Sequence, residues 1–144
     1  MIHSTILFGL TTLLTFFSRP ETPVTEEVFS GKASFYSKRF EGKKTAFGEV
    51  FTNSEFTAAH RTLPHNTLLE LTNPKNGNNV VVRVNDRGPW VKHHMIDISQ
   101  AAAKELGIIQ HGVAVVEARV VGSDGKLYEH EEPRLSEVFR RNRR

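Results

Sequence analysis

The sequence predicts a mainly β domain closed as a small barrel, and three observations carry that expectation. Residues 80–84 set four valines in five positions, and 112–121 hold five more, the β-branched composition that packs on a pleated sheet. Asn76 and Gly77 stand between two β-rich runs, 67–73 and 79–85, which is a strong hairpin signal. Gly31, Ala33 and Ser34 interrupt another run with small residues, as the corners of a barrel need.

The elements follow in chain order. Residues 6–17 are uncharged and apolar, about the length of a signal-peptide core and short for a membrane span. Residues 1–20 are therefore expected to be a signal peptide or a short membrane anchor. The Pro- and Glu-rich stretch 21–28 is expected to be a linker. The barrel is expected over 29–122, with a strand near 28–37, a polar loop over 38–51 and a segment at 56–63 that contains His60. Ser99 can cap a helix over 100–106, and Gly107 can end it. The last strand is expected at 112–121, and 123–144 form a polar basic tail with room for a short helix around 135–140.

Charge and composition narrow the function. The formal charge of +3 is concentrated at the end: residues 133–144 hold five Arg against one Glu, whereas 21–132 are close to neutral. A nucleic-acid-binding fold would normally carry its basic patch within the fold, so nucleic acid is not the expected partner. With no cysteine, a disulfide, a thiolate nucleophile and a Cys-ligated zinc are excluded, and a lipid-anchored form is not expected. His93 and His94 are adjacent and would face opposite ways on a strand; no His spacing resembles a metal motif. No metal and no cofactor are expected.

The chemistry is expected at the end of the valine strand. Asn85, Asp86 and Arg87 stand where it must stop, because Gly88-Pro89 cannot continue it. A rigid strand thus holds a carboxylate, an amide and a guanidinium at a loop mouth. Glu49 also sits at a loop-to-strand junction. Asp97 alternates with Ile96 and Ile98, so it faces away from them.

Five blocks together are similar to the rare lipoprotein A (RlpA) family. They are 31–36 (Gly-Lys-Ala-Ser-Phe-Tyr), 45–49 (Thr-Ala-Phe-Gly-Glu), 58–64 (Ala-Ala-His-Arg-Thr-Leu-Pro), 84–89 (Val-Asn-Asp-Arg-Gly-Pro) and 96–99 (Ile-Asp-Ile-Ser), the last followed by Ala101 and Ala102. The resemblance implies a six-stranded double-psi β-barrel with one or two short helices. It implies a peptidoglycan lytic transglycosylase acting in cell-wall remodelling or daughter-cell separation; the alternative is a non-catalytic, expansin-like polysaccharide-binding module. It carries functional positions onto Glu49, His60, Asp86 and Asp97 as catalytic residues. Asp86 is expected to be the acid/base, Glu49 and His60 to assist, and Asp97 to be the second candidate for the acid. Tyr36, Thr45, Asn85 and Arg87 are expected on the substrate side. The implied partner is the peptidoglycan glycan strand, and the implied location is the cell envelope or beyond, with membrane association possible through 6–17. Many family members add a C-terminal peptidoglycan-binding SPOR domain; only about twenty polar residues follow the barrel here, so no such domain is expected.

Overall fold

The computed structural model describes residues 28–128. The expected signal peptide or anchor, nearly all of the linker, most of the basic tail and the short helix around 135–140 lie outside the described residues. Seven strands are present among the described residues: β1 (Val28–Phe35), β2 (Thr57–His60), β3 (Leu68–Thr72), β4 (Asn79–Asp86), β5 (His94–Ile98), β6 (Val113–Ser123) and β7 (Lys126–Leu127). One α-helix, α1, spans Gln100–Glu105, and a single 3₁₀ turn spans Lys38–Phe40. Among the described residues, no helix is long and apolar enough to cross a membrane.

Six strands close into a barrel in the order β1-β5-β2-β4-β3-β6, and β1 pairs with β6 to complete the ring. The pairs β1–β5 and β2–β4 are parallel; the others are antiparallel. This is the mainly β barrel that the sequence predicts. β7 adds a short pair to the end of β6, extending regular pairing into the stretch expected to be tail.

Alternation fills the interior. Val80, Val82 and Val84 of β4 are buried, as are Leu69 and Leu71 of β3 and Ile96 and Ile98 of β5. Burying each such side chain contributes roughly 1.5–3 kcal/mol. The helix covers the core with Ala102, Ala103 and Leu106. Its start is the expected one: Ser99 Oγ accepts from the Ala102 amide at 3.2 Å. Its end is tied to the β3–β4 hairpin, because Asn73 Nδ2 and Asn76 Nδ2 both donate to the Leu106 carbonyl, at 2.9 and 3.0 Å. Gly107 follows at φ 70°, and a Cβ there would lie 2.8 Å from Asn76 Nδ2. Glycine is thus required both by the backbone and by the closeness of the turn.

A second, smaller apolar cluster lies apart from this core. Tyr36, Phe51 and Ala59 pack together with Phe40 against them. Ala58 belongs to the main core and Ala59 to the small cluster, as neighbours on a strand must. The loop between β1 and β2 therefore folds over the outer face of β2, and that face carries the polar residues of interest.

Candidate active site

Ala59 locates the site. It pairs with Asp86 of β4 on one side and Asp97 of β5 on the other. In-register residues of adjacent strands share a face, so both carboxylates lie on the outer face of the barrel with Ala59 between them. Two strand spacings separate their backbones by roughly 10 Å. A register shift between Ala58 and Ala59 on the β2–β4 ladder brings Asp86, rather than Asn85, opposite Ala59.

Asp86 is held by three donors. Tyr36 Oη donates to Oδ2 at 2.7 Å, and the amides of Ala46 and Arg87 donate to Oδ1 at 2.7 and 2.8 Å. The Tyr36 ring is fixed against Phe51, centroid to centroid 4.3 Å. Burial above all, and then the bond to Asp86, hold the Tyr36 phenol well above its usual range, with Asp97 adding to the effect. Tyr36 therefore stays a hydrogen donor and feels both carboxylates.

Asp97 is held more loosely. Ser34 Oγ donates to its Oδ1, and Oδ2 has no partner among the described residues. Ser34 Oγ also lies 3.1 Å from His94 Nδ1.

Arg87 turns away from Asp86. Its Nη1 donates to the carbonyls of His60 and Leu63, at 3.0 and 2.6 Å, and its guanidinium lies 4.4 Å from the centre of the Phe47 ring. It staples the turn after β2 and carries the loop of 45–49 on its face.

Glu49 forms a separate cluster. Its two oxygens accept from Arg83 Nη2 and Nη1, at 2.8 and 2.9 Å, and Oε2 also meets His65 Nε2 at 3.0 Å. The fork of hydrogen bonds from Arg83 is the main reason its carboxyl is held below the usual carboxylate range. Phe47 stacks on His65 at 4.4 Å, so the same loop is tied at two points. Neither Glu49 nor His60 is hydrogen-bonded to Asp86 or Asp97.

His60 is committed locally. Its Nδ1 accepts from the amides of Thr62 and Leu63, at 3.2 and 3.1 Å, and its ring meets Phe29 edge-on at 6.1 Å. Burial first, then the charges of Arg61 and Arg87, push its pKa down, so the ring is neutral near neutral pH. Thr45 and Asn85 are buried; Thr45 Oγ1 and Asn85 Oδ1 have no hydrogen-bond partner among the described residues.

Of the residues singled out from the sequence, the structure brings Asp86, Asp97 and Tyr36 together on one face and places Glu49 and His60 in neighbouring networks. Ser34, Arg83 and His94 were missed. Arg83 had one visible sign, as the lone polar residue within the valine run. Among the described residues, no cluster of three or more His, Cys, Asp or Glu could hold a metal ion. A hollow of about 530 Å³ lies beside α1, lined by Gln100, Ala101, Lys104 and Gly107, and none of the candidate catalytic residues lines it. The carboxylates lie instead half-buried on either side of Ala59, beside the Tyr36–Phe51 cluster that covers it.

A family model described as lytic transglycolase matches residues 28–118. The endolytic peptidoglycan transglycosylase RlpA of Pasteurella multocida (strain Pm70) is 49% identical over 94 residues, covering 65% of this chain and 32% of that protein. A probable endolytic peptidoglycan transglycosylase RlpA of Aquifex aeolicus (strain VF5) is 53% identical over 91 residues, covering 63% of this chain and 40% of that protein. The chain thus spans between about a third and two fifths of the length of these relatives. Two solved structures share the fold. A Streptomyces papain inhibitor superposes with a TM-score of 0.53 at 24% identity, covering 65% of this chain and 93% of the inhibitor. An apo expansin of Clavibacter michiganensis gives 0.55 at 20% identity, covering 67% of this chain and 51% of the expansin.

Proposed function

The chain belongs to the lytic transglycolase family of RlpA-like double-psi β-barrels, and from that premise we propose that it cleaves peptidoglycan glycan strands between N-acetylmuramic acid and N-acetylglucosamine. The product end is 1,6-anhydro-N-acetylmuramic acid, and the role is cell-wall remodelling or daughter-cell separation. One observation carries the reading: Asp86 and Asp97 flank Ala59 on a single outer face. Glycosidic cleavage needs a proton on the leaving oxygen and negative charge beside an oxocarbenium-like centre, and a pair of carboxyls supplies both.

The hydrogen bonds favour a division of labour opposite to the one expected from the sequence. Asp86 accepts from three donors, which suits a fixed anion beside the sugar. Asp97 keeps Oδ2 open, which suits the group that carries the travelling proton. Asp97 gives that proton to the glycosidic oxygen as the bond to the anomeric carbon breaks, the electron pair leaving with the oxygen. The C6 hydroxyl of the same sugar then closes on the anomeric carbon and returns its proton to Asp97. No water is consumed. Glu49 and Arg83 hold the 45–49 loop whose Ala46 amide binds Asp86, so Glu49 assists through position. His60 does the same through the turn that Arg87 staples.

The substrate lies outside the cytoplasmic membrane, so this function requires export of the chain. The test is mass spectrometry of the muropeptides released from purified sacculi in isotopically labelled water. Anhydro ends without label support the proposal. Reducing ends that carry label would make the protein a hydrolase. Binding without release would make it an expansin-like polysaccharide-binding module.

A further inference from the structure

His94 and Asp97 are three residues apart, so on a regular strand they would face opposite sides of the sheet. Both nevertheless meet one hydroxyl. Ser34 Oγ donates to Asp97 Oδ1 and lies 3.1 Å from His94 Nδ1. The parallel β1–β5 ladder explains how. Lys32 is in register with His94 and Ser34 with Asp97, and the register shifts between Lys32 and Ala33. That irregularity re-aims the two β5 side chains onto the same serine.

From this juxtaposition we propose that His94 is a positioning residue for Asp97, acting through Ser34. The inference rests on the proposed role of Asp97. A hydroxyl has one hydrogen, and here the carboxylate takes it. The serine can then only accept from the imidazole, so His94 Nδ1 carries a hydrogen. The chain of donors runs one way, from His94 Nδ1–H to Ser34 Oγ–H to Asp97 Oδ1. Its effect is to fix the carboxyl rotamer and reserve Oδ2 for the proton that moves to the glycosidic oxygen. The arrangement is not a nucleophilic Ser-His-Asp triad. There the histidine stands between the other two and takes the serine proton; here the serine stands in the middle.

The backbone of His94 is held where this geometry needs it. Arg61 Nη2 donates to the His94 carbonyl at 2.6 Å, and Arg61 Nε donates to the Pro89 carbonyl at 2.9 Å. His93, immediately before, takes φ 68°, a left-handed conformation uncommon for a residue with a side chain. His94 also lines a cleft of about 380 Å³ together with His60, Arg61 and His93.

The experiment has two parts, both on the full chain. The first reads the His94 tautomer from imidazole nitrogen shifts by NMR. Wild-type protein at a pH where the ring is neutral should show the Nδ1–H form, and Ser34→Ala should release it toward the Nε2–H form usual for free histidine. An Nε2–H signal in the wild type would overturn the proposal. The second part measures release from sacculi. His94→Ala should slow release about 3- to 10-fold, the equivalent of one lost hydrogen bond. His94→Asn, whose amide can still donate to Ser34, should restore most of it. Unchanged release in His94→Ala, or no rescue by Asn, would overturn the proposal. Should the wild type release nothing, the functional reading falls, and the tautomer alone then upholds or overturns the donor chain.

Discussion

Glu49 commits both oxygens to Arg83 and one of them also to His65, whereas Asp97 commits one oxygen to Ser34 and keeps the other open. Both residues stand at strand or loop positions, and both fall within the residues that the family model matches. The difference lies in what surrounds them. A carboxylate met by a guanidinium fork is neutralised and held, and its contribution is to the geometry of a loop. A carboxylate that one hydroxyl steadies can still exchange a proton. Under the proposed function the two regions divide the work, with the loop-side ion pair setting the shape and the strand-side pair presenting the chemistry.

The largest expected effect tests the chemical side. Asp97→Asn should lower anhydro-muropeptide release by about 100-fold or more, since the amide cannot pass the proton. Thermal unfolding and sacculus binding should stay close to wild type. Release at the wild-type rate would move the acid to another carboxyl and erase the contrast. Asp86→Asn comes next. The amide keeps an oxygen for the two backbone donors but can meet Tyr36 only by donating to it, and all three bonds lose the carboxylate charge that strengthens them. Release should fall at least about tenfold and the unfolding midpoint should drop too, a double effect absent from Asp97→Asn. A fall in release with an unaltered midpoint would mean that the three bonds contribute no stability.

Glu49→Gln tests the structural side. The expected loss is about 1 kcal/mol, the modest scale of a half-exposed pair strengthened by a fork. Calorimetry should show a lower midpoint, and release per folded molecule should remain within a few-fold of wild type. A loss of release with an unchanged midpoint would place Glu49 among the reacting groups instead. The smallest effect is in the acid dependence of stability. His60 has its pKa pushed below the ordinary 6.5 and Glu49 below the ordinary 4.5. In both cases the unfolded chain takes up the proton first, so stability is lost as pH falls. The His60 loss begins just below pH 6.5 and the Glu49 loss below about pH 4.5. Urea unfolding at pH 7 and pH 5.5 should show the first step, and His60→Phe should remove it. A stability that rose on acidification over that range would contradict the buried neutral ring.

Much of this was legible in the sequence. The valine runs became β4 and β6, the Asn76-Gly77 signal became the β3–β4 hairpin, and Ser99 caps α1 as expected. The outward position of Asp97 between two buried isoleucines followed from alternation alone. The parallel ladders did not, because strands far apart in sequence carry no local mark of their register. The direction of Arg87 does not follow from the sequence for a related reason. Its two carbonyl partners belong to an irregular turn whose path no periodicity reveals. The Ser34–His94 contact ran against the periodicity rule itself, because an odd spacing on β5 argues for opposite faces. Only the register shift between β1 and β5, which skips Met95, brings them together.

The order of strands around the barrel also constrains when the chain can fold. Within the closed ring, β3 and β4 are the only consecutive strands that pair. The first strand is flanked by β5 and β6, and β2 by β4 and β5. During synthesis, then, β1 waits as an open edge for β5 and β6, whereas β4 can pair with both β2 and β3 as soon as residue 86 has emerged. Closing such long loops precedes the contacts that reward it, which makes for a late and concerted collapse. A chain that stops short of residue 113 leaves β1 and β3 each without one neighbour, and the ring cannot close.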